Sequence, residues 1–199
     1  MNWDQFFNML PERYSPQDLL KVQMAYWLAK DGHRTQSREG GERYFEHPRD
    51  VAILCLQAGF DDPDTIAAAL LHDGVEDTYI PLQVYLALVG RAVWKGVSGL
   101  SKKIPQFDPV TGQVTGYVVK DMEAYFAEIM VLPPKLRVVK VLDRHHNNKT
   151  AHRFAAGRLR RYIDESRDRI LPIAQATEMA LARLIEEDID RLEAVLQSR

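Results

Sequence analysis

At 199 residues, 46% of them hydrophobic, the chain is long enough to bury a sizeable core as one domain spanning residues 1–199. A formal charge of -2 excludes a uniformly basic nucleic-acid binder, and no window reaches the ~18 apolar residues of a membrane span. Cys55 is the only cysteine, so no internal disulfide can form; its setting among Ala52, Ile53, Leu54 and Leu56 reads as core, not as a nucleophile. The N-terminus lacks the basic-then-apolar pattern of a leader, which points to a soluble cytoplasmic protein without membrane partners.

In chain order, Ser15-Pro16-Gln17-Asp18 offers an N-cap, a proline at the first helical position and an acid in the first turn, which predicts a helix over 16–30. Leu19, Leu20, Met24, Trp27 and Leu28 recur at the spacing of one buried face. A second helix is expected from Pro48 to about Gly59, and Asp62-Pro63-Asp64 opens a third through TIAAALLHD, apolar almost all round and therefore buried. Further helices are expected near 81–95, 121–131, 133–145, 150–168 and 172–197, an all-α bundle. The run RVVKVLD is ambiguous, because its β-branched residues also suit a buried strand. Residues 103–117, rich in Pro, Gly and Thr, read as a long loop with room for a small hairpin.

The third helix ends in charged groups: LLHDGVEDT places His72, Asp73, Glu76 and Asp77 directly after an apolar run. An unpaired carboxylate in such surroundings would protonate or draw in water, and a divalent cation removes that cost. Imidazole nitrogen with carboxylate oxygen suits Mn, Fe, Co or Zn. Two ligands make a poor site, so other His or Asp residues at the ends of apolar elements are sought. His47, before Pro48, and Asp143, closing VVKVL, qualify; singly, each is also explained as a helix-start residue or as a partner of Lys140 or Arg144.

Together, HRTQSREGGERYFEHP, AALLHDGVEDT and VLDRHHNNKT resemble three ordered motifs of the HD superfamily, specifically the hydrolase domain of RelA/SpoT-type enzymes and small alarmone hydrolases, over residues 20 to 175. The resemblance implies a mostly helical fold, one divalent ion (Mn2+ in this family) and removal of the 3′-pyrophosphate from guanosine tetra- or pentaphosphate. It implies His47, His72, Asp73 and Asp143 as metal ligands and Glu76 and Asp77 as the acidic pair that activates water. Arg38, Asn147 and Thr150 match nucleotide contacts, with Lys149 where an arginine is usual. Gly74 stands where an apolar residue is commoner and lets the chain turn the acidic pair toward the metal. Glu39 replaces a common basic residue, which keeps the adenosine alarmone or NADPH open as substrates, and a nucleotide-sensing module without turnover as a third reading. The length leaves no room for a synthetase domain, so only degradation is expected.

Charge is uneven. Pro133 to Arg169 holds eleven Lys or Arg against four acids, while Asp61 to Asp77 holds six acids and no Lys or Arg. An acidic metal side can therefore face a basic phosphate side, with about half of those cations in ordinary surface pairs. The expected partner is a small nucleotide, not DNA or RNA, and nothing in the sequence speaks against a homo-oligomer. His145 and His146 are not assigned as ligands; His33 and His152 have no assigned role.

Overall fold

The computed structural model describes residues 1–38 and 40–199; Glu39, on which the substrate question turned, lies outside the described residues. The chain opens with a short helix, α1 (Trp3–Phe7), followed by α2 (Pro16–Gly32), whose start is capped as expected: Ser15 Oγ accepts from the Asp18 backbone N–H at 3.2 Å and Asp18 returns a bond to Ser15. The buried face of α2 differs from the expected one. Val22, Ala25, Tyr26 and Ala29 are buried, Leu19, Met24 and Leu28 are only partly covered, and Leu20 and Trp27 are exposed. Two alanines let α2 approach α4 closely, so the small-residue stripe outcompetes the stripe of larger side chains.

Next come α3 (Glu46–Gln57) and α4 (Pro63–Leu71), the latter capped by Asp62, whose side chain accepts from the Asp64 N–H at 2.9 Å. Residues 65 to 71 of α4 are all buried, and the helix packs on α2, α3, α6 and α8. One turn of helix, α5 (Gly74–Asp77), follows directly. Then α6 (Leu82–Leu100) runs past its expected end, with a kink at Gly90, where φ is 85° and only glycine sits without strain.

The Pro/Gly/Thr-rich segment closes as an antiparallel hairpin, β1 (Lys103–Phe107) and β2 (Val114–Val119), pairing Lys103 with Val119 and Pro105 with Tyr117, and carrying an irregularity between Gln106 and Phe107. After it, α7 (Met122–Val131) leads to α8 (Pro134–Ala151), which resolves the ambiguous RVVKVLD run as helix and extends six residues beyond the expected end. The last third departs from two long helices. It forms α9 (Ala156–Glu165), a π-helical turn at Ser166–Ile170, α10 (Leu171–Thr177) and α11 (Met179–Gln197), with Glu178 extended between the last two. That break lets both α10 and α11 pack against α8. Cys55 is fully buried with its thiol pushed up by burial, as a core cysteine should be. Among the described residues, no helix is long and apolar enough to cross a membrane.

Candidate metal centre

Four expected ligands come from four places: His47 from the first turn of α3, His72 and Asp73 from the end of α4, and Asp143 from the middle of α8. The buried α4 lies against both α3 and α8, which is how residues far apart in sequence meet. His47 Nε2 lies 3.1 Å from Asp143 Oδ1 and 3.5 Å from Asp73 Oδ2; His72 Nε2 lies 3.2 Å from Asp73 Oδ1 and 3.6 Å from Asp143 Oδ1. Ligand atoms of His47, His72 and Asp73 all fall within 4.8 Å of one another, and Asp143 joins them through the two imidazoles.

Hydrogen bonding tests whether this group suits a cation. His72 Nδ1 sits 2.8 Å from the Ala69 carbonyl, an acceptor only, so Nδ1 carries a hydrogen whatever the charge of the ring, and Nε2 is the nitrogen that a cation would take in place of a proton. That Nε2 is buried and, among the described residues, has no hydrogen-bond partner. An orphaned imidazole nitrogen aimed at two carboxylates fits a divalent metal of mixed N/O preference. The electrostatics agree. Despite burial, His72 is pushed up to about 9 by Asp73 and Asp143, whereas burial dominates at His47 and lowers it. Burial raises both carboxyls, but the imidazoles, and Lys140 above all for Asp143, hold Asp73 low and Asp143 well below the usual range. The cluster thus holds ionised carboxylates and favours positive charge at His72, where a proton or a metal ion can supply it.

Of the surrounding groups, the sequence named Lys140 as a partner of Asp143, Asn147 as a nucleotide contact and His146 without a role, and it did not single out Tyr44. Lys140, one turn before Asp143, is half-buried and donates to Asp143 Oδ2 at 2.9 Å, while Asn147 Nδ2 donates to Asp143 Oδ1 at 2.6 Å. His146 Nδ1 lies 2.9 Å from His47 Nδ1, with Asp50 Oδ2 3.7 Å from its other nitrogen. It is no ligand but orients one. The Tyr44 hydroxyl lies 3.0 Å from Asp73 Oδ2 and 2.9 Å from Asp77 Oδ2, and its ring stacks on His33 at 4.6 Å. Burial, and then those two carboxylates, raise the phenol far above its ordinary value, so it remains a donor. Tyr44 lies in the turn that precedes α3, three residues before His47, and nothing in its local sequence marks it.

Glu76 and Asp77 lie on α5 rather than on an exposed turn. Glu76 is half-buried, accepts the Lys102 backbone N–H, and is pushed up by burial and by Asp73 and Asp77. Asp77 pairs with Lys103 at 3.5 Å. Gly74 does not serve the turn through backbone freedom, since its φ is not positive; a Cβ there would fall 2.5 Å from the Tyr85 hydroxyl. Its role is close approach. His145 bonds Asp188 of α11 at 2.7 Å, away from the metal group, and His152 caps α8 at the surface.

Two cavities meet here. One of about 180 Å³ holds His47, His72, Asp73, Glu76 and Asp143. The other, about 620 Å³, is lined by Arg38, Asn147, Lys149 and Thr150 together with Arg153 and Phe154, and the two share Arg38, Tyr44, His47 and Asn147. Arg38 donates to Asn147 Oδ1 at 2.5 Å, so the residue that bonds Asp143 also anchors the wall of the larger cleft. Many other cations of the basic segment are engaged in pairs, Arg144 with Glu165, Arg167 with Glu193 and Arg169 with Glu123, and Lys135 with Asp62 and Asp64.

Residues 25–113 match a family model described as an HD domain. The chain is 35% identical over 173 residues to the bifunctional (p)ppGpp synthase/hydrolase SpoT of Escherichia coli, an alignment covering 84% of this chain and 23% of that protein. It is 33% identical over 180 residues to the bifunctional (p)ppGpp synthase/hydrolase RelA of Mycobacterium tuberculosis (89% and 23%). A guanosine-3′,5′-bis(diphosphate) 3′-pyrophosphohydrolase of Aquifex aeolicus is 32% identical over 161 residues (80% and 22%). The chain therefore spans under a quarter of the length of these relatives. A solved structure described as a metazoan ortholog of SpoT that hydrolyses ppGpp superposes with a TM-score of 0.71 at 19% identity, covering 91% of this chain and 98% of that one, a likeness of fold.

Proposed function

We propose, from the match of residues 25–113 to an HD domain and the similarity of the chain to (p)ppGpp synthase/hydrolases, that it hydrolyses the 3′-pyrophosphate of a guanosine alarmone, (p)ppGpp, to give GDP or GTP and pyrophosphate. The observation that carries the reading is the orphaned His72 Nε2, facing Asp73 and Asp143 beside His47 Nε2. In this reading residues 1–199 act as one phosphohydrolase unit, and His47, His72, Asp73 and Asp143 hold one divalent cation, with Mn2+ among the ions that two imidazole nitrogens and two carboxylate oxygens suit. When bound, the ion supplies Lewis-acid polarisation and a nucleophile available near neutral pH.

The chain's own residues supply the rest. Glu76 or Asp77 accepts the proton of the attacking water, and the raised affinity of Glu76 for protons moves it toward the range in which a general base works best. Tyr44 has one hydrogen for two carboxylates. A proton taken up by Asp77 lets Asp77 donate to Tyr44 and Tyr44 to Asp73, satisfying both contacts together. Lys140 and Asn147 fix the two oxygens of Asp143. Arg38, Asn147, Lys149 and Thr150 hold the nucleotide in the larger cleft, whose wall is continuous with that of the smaller one, so a 3′ substituent reaches the acidic pair while the base and 5′-phosphates stay outside. Both acids being in place speaks against a silent sensor.

The test is Mn-loaded protein incubated with ppGpp, ppApp and NADPH, with the products resolved. Pyrophosphate release fastest from ppGpp is expected. Release from none of the nucleotides refutes the proposal, and a decisive preference for ppApp or NADPH reassigns the substrate.

A further inference from the structure

Lys102 closes the short link between α6 and β1 and lines the smaller cavity together with Glu76, Lys140 and Asp143. It is half-buried, and its charge is felt by two other cations, Lys140 and Arg144. Both neighbours have anionic partners: Lys140 donates to Asp143, and Arg144 pairs with Glu165. Lys102 has none. Among the described residues its ammonium makes no ion pair or hydrogen bond; its contact is the Tyr125 ring, 5.7 Å away, a ring that Lys140 also faces at 6.0 Å. Burial and the neighbouring cations lower its proton affinity, partly offset by Glu165 and Glu76. A cation partly withdrawn from water, crowded by like charge and lacking a partner is costly unless an anion arrives to complete the set. The nearby carboxylates are already engaged, Glu76 by the Lys102 backbone N–H and Asp143 by Lys140 and Asn147.

We propose that Lys102 is a substrate-contacting residue whose ammonium binds a non-bridging oxygen of the scissile diphosphate, forming with Lys140 the cationic wall of an anion subsite beside the candidate metal centre. This rests on the reading of the centre as a phosphohydrolase. Lys140 is committed to Asp143 and supplies field; Lys102 supplies the direct contact. The ligand class is a diphosphate, whether still esterified to the nucleotide or released as product.

The experiment separates this contact from turnover. Methylenediphosphonate, which cannot be hydrolysed, is titrated calorimetrically into metal-loaded protein freed of excess metal, for the wild type and for Lys102→Met, Lys102→Gln and Lys102→Arg. Metal content and melting temperature are measured on the same samples. The Met and Gln variants should keep their metal and lose diphosphonate affinity by roughly 10- to 100-fold, the worth of a charge-assisted bond, with Arg intermediate. Removal of an unpaired, half-buried charge should also leave Lys102→Met as stable as the wild type or more so. Diphosphonate affinity within about twofold of wild type in any folded, metal-loaded Met or Gln variant overturns the assignment, as does a wild type that binds no diphosphonate. Lys102-dependent diphosphonate binding in a protein that hydrolyses none of the nucleotides would sink the alarmone reading and leave the subsite standing.

Discussion

Gly74→Ala is expected to destabilise the protein through one contact. The added Cβ falls 2.5 Å from the Tyr85 hydroxyl and 3.3 Å from the ring carbon bearing it, and Tyr85 is completely buried, so the ring has no free space to swing into. Overpacking of this kind costs about 1–3 kcal/mol, and the small helix-propensity gain of alanine over glycine offsets only part of it. For a chain of this size each kcal/mol moves the melting temperature by roughly 2–4 °C, so a net cost of about 1–2 kcal/mol should lower it by about 2–8 °C. Tyr85→Phe removes the clashing oxygen and loses only a 3.5 Å contact to Thr78 Oγ1. In that background the nearest remaining atom is the ring carbon at 3.3 Å, and the penalty of Gly74→Ala should shrink by about 1 kcal/mol or more. Chemical denaturation of the four proteins in the cycle measures this coupling. Because Gly74 begins the turn that carries Glu76 and Asp77, the single variant should also lose turnover, with recovery in the double variant. A Gly74→Ala protein as stable as the wild type, or a penalty unchanged by Tyr85→Phe, refutes the close-approach account.

Other expectations follow from the groups around the site. Tyr44→Phe deletes the hydroxyl shared by Asp73 and Asp77 and should lower kcat about 10- to 100-fold with a small change in KM; steady-state kinetics at saturating metal decides it. Asp188, buried on α11, accepts from His145 at 2.7 Å, Asn148 at 2.8 Å and Arg191 at 2.5 Å; although burial works against its charge, these bonds hold its carboxyl below the ordinary range. Its folded value being depressed, the stabilisation is present above the unfolded value near 3.9 and is lost as pH falls through the lower folded value. Asp188→Asn should therefore cost about 1–3 kcal/mol at neutral pH, and its difference from the wild type should narrow in denaturation curves run toward pH 3.

What could be read from the sequence was chiefly local. Ser15 and Asp62 announce their helix starts because a cap and the amide it accepts lie within three residues of each other. His72 and Asp73 stood out because ionised groups at the end of an apolar helix demand neutralisation, His47 and Asp143 qualified as His or Asp at the ends of other apolar elements and were joined to them by the resemblance, and all four lie within reach of one another. Less legible was whatever depends on a neighbour from another element. The buried stripe of α2 was misread because closeness to α4 favours Ala25 and Ala29 over bulkier residues. Gly74 looked like a hinge because Tyr85, eleven residues on, is invisible as its neighbour. Lys102 sits in a linker whose composition says only loop, and its isolation among cations emerges when α8 is laid against it. The break at Glu178 interrupts a continuous helical pattern, so packing on α8 decides it.

The most direct measurement is calorimetric titration of Mn2+ into chelator-stripped protein, run beside His47→Ala, His72→Ala, Asp73→Ala and Asp143→Ala variants that retain the wild-type circular dichroism spectrum. One equivalent per chain is expected in the wild type. Each variant should lose at least roughly tenfold in affinity, in step with its loss of ppGpp hydrolysis. Undiminished metal binding in any two of the four variants, or ppGpp hydrolysis that persists in the stripped protein with chelator present, would contradict a single cation held by these four side chains.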